Sequence, residues 1–484
     1  MIGELLTPAG LVALVPLLAA AGLLLVRNAG IAAWGNIAAS TAAFVLAGLL
    51  PWSLGAGELL LVDRLAAHMA ILTSFVGMTT AWFSRGYIAV EAGAGRLNAV
   101  SLRHYHALFQ AFLGFMLLAL LSNNLGVTWI AVEAATIAAV LVVGLPRTAD
   151  AVEASWKFFI ICSVGIALAL FGTVVLYLAA QPSLGPGLAA MSWSTLTVAA
   201  PDFKGPLLNL AFVFMLIGYG TKAGLAPLHA WMPDAHAEGP TPVSAVLAGS
   251  ILNVVLVVVF RLRGLLAGNA EAITPGPPII AFAVLTMLLA SFSLWRRRDV
   301  KRFFAFSTLE QSGVAALAIG FGGRAAVFAA VLHITVHTLV KAAIFQCVGR
   351  ACQMKGGQLF TDVSGLLTGP HRALGLTLGC GIVAAAGLPP FGMFSSEFLV
   401  VSEVTRRAAW LMLPVGLALV VGAWALFWRF STLLLGAATP DPGPAPSLLA
   451  LAPAWLHLAL AAVLGFAMPA AVAGWLGAIA EAAP

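Results

Sequence analysis

Six ionisable side chains stand inside long apolar runs of this sequence. Glu133 lies in NNLGVTWIAVEAATIAAVLVVG and Lys222 in LAFVFMLIGYGTKAGLAPLHAWMP. His333, His337 and Lys341 lie in VLHITVHTLVKAAIFQCVG, and Glu397 in FGMFSSEFLV. A charge placed in hydrocarbon costs at least ~2 kcal/mol, so residues of this kind are functional by default. Spacing of four sets His333, His337 and Lys341 along one face of a helix. An imidazole titrates near neutrality and a lysine out of water readily changes its proton affinity, so such a stripe can hand a proton along. Two other readings exist. Polar side chains also glue helices together, and histidines at i and i+4 can hold zinc, although no H-E-x-x-H pattern or converging carboxylate accompanies these.

Two of the runs carry helix breakers beside the charge. TKAGLAPLHAWMP places Gly224 and Pro227 just after Lys222, and AAGLPPFGMFSSEF places Gly387, Pro389, Pro390 and Gly392 just before Glu397. Proline removes a backbone donor and clashes with the preceding turn, and glycine loosens what remains. Non-helical backbone at membrane depth survives only where it is buried in protein or lines a wet cavity. Interrupted helices in corresponding places of two halves point to a transporter's ion path. An ordinary proline kink explains either break alone but not both beside a charge.

Positioning these residues requires a bundle of membrane helices. The chain of 484 residues is 61% hydrophobic and 9% charged, against about 25% charged in a soluble domain. With roughly 20 apolar residues per span, about fourteen spans are expected, beginning near residues 5, 28, 66, 106, 124, 156, 207, 241, 276, 303, 325, 372, 408 and 449. They are too apolar and too long for barrel strands. The tail after Met468 is expected to be a further, interfacial helix. The polar stretches 83–103, 181–206 and 433–448 are loop-sized, so a single polytopic domain is predicted. The N-terminal run lacks a basic leader region and carries Glu4 early, which reads as a retained first helix rather than a signal peptide. Lys and Arg concentrate in loops after odd-numbered spans, among them Arg85, Arg96, Arg103, Arg296, Arg297 and Arg298. That side is expected in the cytoplasm and both termini outside.

The excess of Lys and Arg is therefore loop charge and does not indicate nucleic acid. Cys162, Cys347, Cys352 and Cys380 form no C-x-x-C pair and read as packing residues, with no metal or redox role. No nucleotide-binding glycine loop, flavin site or haem ligand pair is apparent, so no cofactor is expected and electron chemistry would fall to partners.

At these motifs the chain resembles a known family. GYGTKAGLAPLHAWMPDAHAEGPTPVSAVLAG, WIAVEAAT, DVKRFFAFSTLEQSG, HITVHTLVKAAIFQCVG and GLPPFGMFSSEFLV are similar, in order, to motifs of the proton-conducting antiporter-like membrane subunits of respiratory complex I. That family includes multisubunit sodium/proton antiporters and membrane-bound hydrogenases. The resemblance implies an all-α membrane protein with two inverted five-helix repeats. Residues 1–105 would hold helices 1–3, 106–263 the first repeat, 276–436 the second and 449–484 the last helix, with helices 7 and 12 broken. It implies that Glu133 and Lys222 are the ion pair of a first half-channel, that His333, His337 and Lys341 bridge, and that Glu397 ends the second half-channel. Lys157, His229 and Asp234 are accessory candidates for proton uptake. Many members carry a lysine where this chain has Asn253, an amide that can hold water but cannot titrate.

Within the family, GLAPLHAWMPDAHAEGPTPVSA and EASWKFFIICSVGIALALFG resemble most the component F type of hydrogenase-4. That likeness implies a bacterial inner-membrane complex with other membrane subunits and a peripheral hydrogenase or dehydrogenase arm bearing iron–sulfur proteins. The alternatives are a sodium/proton antiporter subunit, a non-conducting anchor for such an arm, or a stand-alone transporter.

Overall fold

In hydrocarbon the backbone must satisfy its own polar groups within each segment, and this chain does so with helices. The computed structural model describes residues 2–368, 371–441 and 446–482. The first part comprises α1 (Ile2–Leu5), α2 (Pro8–Leu23), α3 (Ala29–Ala47), α4 (Arg64–Gly93), α5 (Ala99–Leu121), α6 (Leu125–Val143) and α7 (Ala149–Leu184). Next come α8 (Trp193–Ala199), α9 (Gly205–Lys222), α10 (Trp231–Glu238), α11 (Thr241–Val246), α12 (Leu252–Ala267), α13 (Gly276–Leu294) and α14 (Val300–Phe321). The last part comprises α15 (Arg324–Lys355), α16 (Arg372–Ala385), α17 (Gly392–Arg407), α18 (Met412–Phe430), α19 (Leu448–Phe466) and α20 (Ala470–Glu481). A π-helical turn, Leu247–Ile251, joins α11 to α12. A two-stranded hairpin pairs Gly55–Ala56 with Leu61–Val62.

Among the described residues, eleven helices are long and apolar enough to cross a membrane, and Pro8–Leu23, Arg372–Ala385 and Ala470–Glu481 are shorter apolar helices. The chain is thus a multi-pass helical membrane protein. Two helices begin earlier than their apolar runs, α5 at Ala99 and α7 at Ala149, each behind a side-chain cap from Asn98 or Thr148. Such caps satisfy amide donors that a helix start leaves open. Of the expected loop over 433–448, residues 442–445 lie outside the described residues, as do residues 1 and 483–484 at the ends of the expected segments.

Burial separates centre from rim. The apolar windows of α14 and α15 are 100% and 94% buried, against 33% for the span containing α18 and 28% for α19. The central helices are those that carry the histidine stripe and its neighbours. The far end of α15 is clamped. Arg350 donates to the Gly86 carbonyl, Gln353 to Tyr87 O at 3.0 Å and to Glu91 Oε1 at 2.6 Å, and Lys355 to Thr439 O at 2.7 Å. Lys355 also pairs with Asp441 at 2.7 Å.

The two breaks share one design. After α9 the chain reads Ala223-Gly224-Leu225-Ala226-Pro227, and after α16 it reads Ala386-Gly387-Leu388-Pro389-Pro390. Gly224 and Gly387 both take positive φ, 70° and 67°. In each break the leucine N–H reaches back five residues, Leu225 to Gly220 O at 2.8 Å and Leu388 to Val383 O at 3.3 Å. This is the Schellman closure of a helix C-terminus, which needs a left-handed residue after the cap. The proline bond is cis in both, Ala226–Pro227 and Pro389–Pro390. Helix resumes as α10 and α17.

Candidate functional site

Lys222 closes α9 and is fully buried. Its Nζ donates to Glu133 Oε2 at 2.9 Å and to Thr136 Oγ1 at 2.6 Å. Glu133 and Thr136 stand one turn apart on α6. From α7, Ser163 Oγ donates to Glu133 Oε1 at 3.2 Å. Three helices therefore hold one ion pair, in which the glutamate side chain keeps 17% exposure and the lysine none.

Further buried polar groups stand on α9, at the π-helical turn before α12, on α12 and on the central turns of α15. Tyr219, one turn before Lys222, and Ser250, one turn before Asn253, have hydroxyls with no protein partner. Asn253 Nδ2 on α12 donates to Thr338 Oγ1 on α15 at 3.0 Å. Thr338 adjoins His337, whose Nε2 also lacks a protein partner. Buried polar atoms without a protein partner are usually met by ordered water.

The histidine stripe connects α15 to its neighbours. The His333 and His337 rings stack with centroids 6.2 Å apart. His333 Nδ1 lies 3.0 Å from Ser396 Oγ on α17, and its Nε2 lies 3.2 Å from the Gln311 carbonyl on α14. Lys341 Nζ, fully buried, donates to Ser307 Oγ at 2.6 Å. Glu397, next to Ser396, is partly buried, with Oε1 sealed from solvent and unpartnered. A Cβ at Gly387 would collide with its carboxylate, so the positive-φ glycine of the second break also makes room for the acid.

Lys157 and Asp234 meet at 2.6 Å, and Arg302 joins them, Nε to Asp234 Oδ1 at 3.3 Å and Nη2 to Glu238 at 3.0 Å. His229, in the connection between α9 and α10, stands outside that network.

Sequence reasoning passed over one acid. Glu310 on α14 is 1% exposed, and Ser291 Oγ donates to its Oε1 at 3.0 Å. The signal was present, since FSTLEQSG places a carboxylate in an apolar span by the criterion that found Glu133. Thr136, Ser163, Ser307 and Ser396 left no such signal, because hydroxyl residues are ordinary in membrane helices.

The sequence pattern described as "NADH:quinone oxidoreductase/Mrp antiporter, TM" matches residues 122–422. A hydrogenase-4 component F homolog of Methylacidiphilum infernorum (isolate V4) is 46% identical over 419 residues, 87% of each chain. A chain of the membrane-bound sulfane sulfur reductase, an archaeal respiratory membrane complex, superposes with a TM-score of 0.86 at 21% identity, covering 98% of this chain and 97% of that one. A chain of respiratory complex I from Thermus thermophilus with bound aureothin gives 0.75 at 21% identity, covering 94% and 97%. These two structural likenesses concern the fold. The stretch matched by sequence contains the buried ion pair, the histidine stripe and both broken helices, and the chain belongs to the NADH:quinone oxidoreductase/Mrp antiporter membrane family.

Proposed function

We propose that the chain is a proton-translocating membrane subunit of a redox-driven complex of the hydrogenase-4 or complex I type. The observation that carries this reading is the buried Glu133–Lys222 ion pair; the buried Asn253–Thr338 and Lys341–Ser307 contacts support a path onward toward Glu397. A conformational change in a neighbouring subunit separates the pair. The proton of Lys222 then moves through water held by Tyr219, Ser250 and Asn253 toward His337, and on through Lys341 to Glu397. Moving one charge against 100 mV needs about 2.3 kcal/mol, and leaving one member of a buried pair uncompensated costs about 3–5 kcal/mol, so driving the pair apart stores enough free energy for the step. The Lys157–Asp234 pair assists uptake at the cytoplasmic side.

The partners on this reading are other membrane subunits and a peripheral hydrogenase or dehydrogenase arm with iron–sulfur proteins. The complex lies in a bacterial inner membrane with both termini of this chain on the outer side. Glu133→Gln and Lys222→Ala are each expected to abolish proton pumping by membrane vesicles carrying the complex. Pumping that survives both changes overturns the mechanism. Asn253→Lys is expected to leave pumping unimproved, and a severalfold gain would show that the native amide limits the link between the halves.

A second reading, a sodium/proton antiporter subunit, is favoured only by the breadth of the family. A mild-detergent pull-down separates the two. A hydrogenase-like large subunit among the captured proteins supports the redox-driven complex, and companion antiporter subunits without a redox protein support the second reading.

A further inference from the structure

We propose that Glu310 is a second proton-carrying carboxylate of the relay, so that the path forks after Lys341 to two acids, Glu310 and Glu397. The proposal rests on the proton-relay reading and extends it to a residue that reading does not use.

Lys341 spends its hydrogen bond on Ser307, at 2.6 Å, and not on Glu397. Ser307 and Glu310 lie three residues apart on α14, hence on one face of that helix. Glu310 is sealed from solvent, and the charged groups that face it are Lys341 and Glu397. Among the described residues it makes no ion pair. One oxygen, Oε1, accepts from Ser291 on α13, and the other, Oε2, has no protein partner. A buried carboxyl left half-satisfied is costly, and a purely structural acid would be expected to fill both oxygens. The carboxyl also occupies a notch in α18. A Cβ added at Gly422 would overlap it, so the glycine keeps that space open. Glu310 thus joins α14 to the seam between α13 and α18, whereas Glu397, on α17, lies against Gly387 in the break after α16.

The step balances. Lys341 leaves as the neutral amine, Ser307 takes the proton on its oxygen while releasing its own to a bridging water, and that water passes one proton to Glu310 Oε2, which has no protein partner. The carboxylate becomes a carboxylic acid and later loses the proton along the α13–α18 seam.

The test uses the intact complex in vesicles under an imposed membrane potential, with proton flux read by a pH dye and carboxyl protonation by infrared difference spectra. Lys222→Ala serves as the control for the relay. Glu310→Gln keeps the size and the Ser291 hydrogen bond, so a structural role would leave flux unchanged. The expected result is a loss of about tenfold or more, disappearance of one protonated-carboxyl band, and recovery of most flux in Glu310→Asp. Wild-type flux in Glu310→Gln with Lys222→Ala inactive overturns the fork and leaves the main relay standing. Wild-type flux in all variants, Lys222→Ala included, overturns the relay and the fork together. If Glu310→Gln fails to assemble, Ser307→Ala decides: a severalfold loss supports the fork, and unchanged flux overturns it.

Discussion

At the scale of single residues, the Glu133–Lys222 pair is held by partners as much as by charge. Thr136 and Ser163 fill the hydrogen-bonding positions that the ion pair leaves open. Removing one member strands the other, so Lys222→Ala should lower stability by about 3–5 kcal/mol. The double change Glu133→Gln with Lys222→Met removes both charges and should recover most of that loss, read as the melting temperature of the purified protein, while pumping stays absent. Recovery of pumping in the double variant would contradict a relay through these residues. The two charges were legible in the sequence because each interrupts an apolar run. The hydroxyls that hold them were not, because a serine facing lipid and a serine facing a carboxylate read alike along the chain.

At the scale of elements, the paired breaks assign different work to similar glycines. Gly387→Ala imposes left-handed strain of about 1–2 kcal/mol and drives a methyl into the Glu397 carboxylate. Gly95 also has positive φ, at 72°, but a Cβ there meets nothing within 4 Å. Gly95→Ala should therefore cost only the backbone strain, and Gly387→Ala the same strain plus a displacement of the Glu397 carboxylate, with transport lost; unchanged transport in Gly387→Ala would contradict the collision. The breaks themselves were readable, since glycine and proline sit beside charges. Helix starts were less so. The span expected near residue 106 begins at Ala99 because SLRHYH, polar in composition, buries Ser101, Tyr105 and His106 against protein. Ser101 bonds to the Leu145 carbonyl and Tyr105 to Ser84. The α16 segment has only 14 residues, too few to cross a core about 30 Å thick, so length alone does not count the crossings of a broken helix.

At the scale of the whole molecule, the ends of the chain are tied to distant parts of the bundle. Arg324 at the start of α15 meets Glu481 in α20 at 2.6 Å. Glu4 in α1 accepts backbone N–H bonds from Glu58, Leu59 and Leu60 at 3.0–3.2 Å. Slight burial pushes the Glu4 carboxyl up, but the three donors outweigh it and hold the group below its ordinary value. A carboxyl lowered on folding stabilises above its unfolded pKa, and that contribution fades as pH falls through the folded one. Hydrogen exchange at Glu58–Leu60 should accordingly quicken as pH drops below the ordinary carboxylate range, relative to the intrinsic rate, and Glu4→Gln should remove that pH dependence. A pH response unchanged in Glu4→Gln would place the fastening elsewhere.

The clamp on the end of α15 has a mechanical consequence. At 32 residues the helix is about 48 Å long, more than the hydrocarbon core about 30 Å thick, so it acts as a pushrod with a handle at one face of the bilayer. A continuous α-helix resists compression, so an axial force applied at Arg350, Gln353 and Lys355 is passed along the helix toward Lys341 and His333. A neighbour that pulls on Glu91 or Asp441 would thereby load the helix that carries the buried lysine, without entering the bundle.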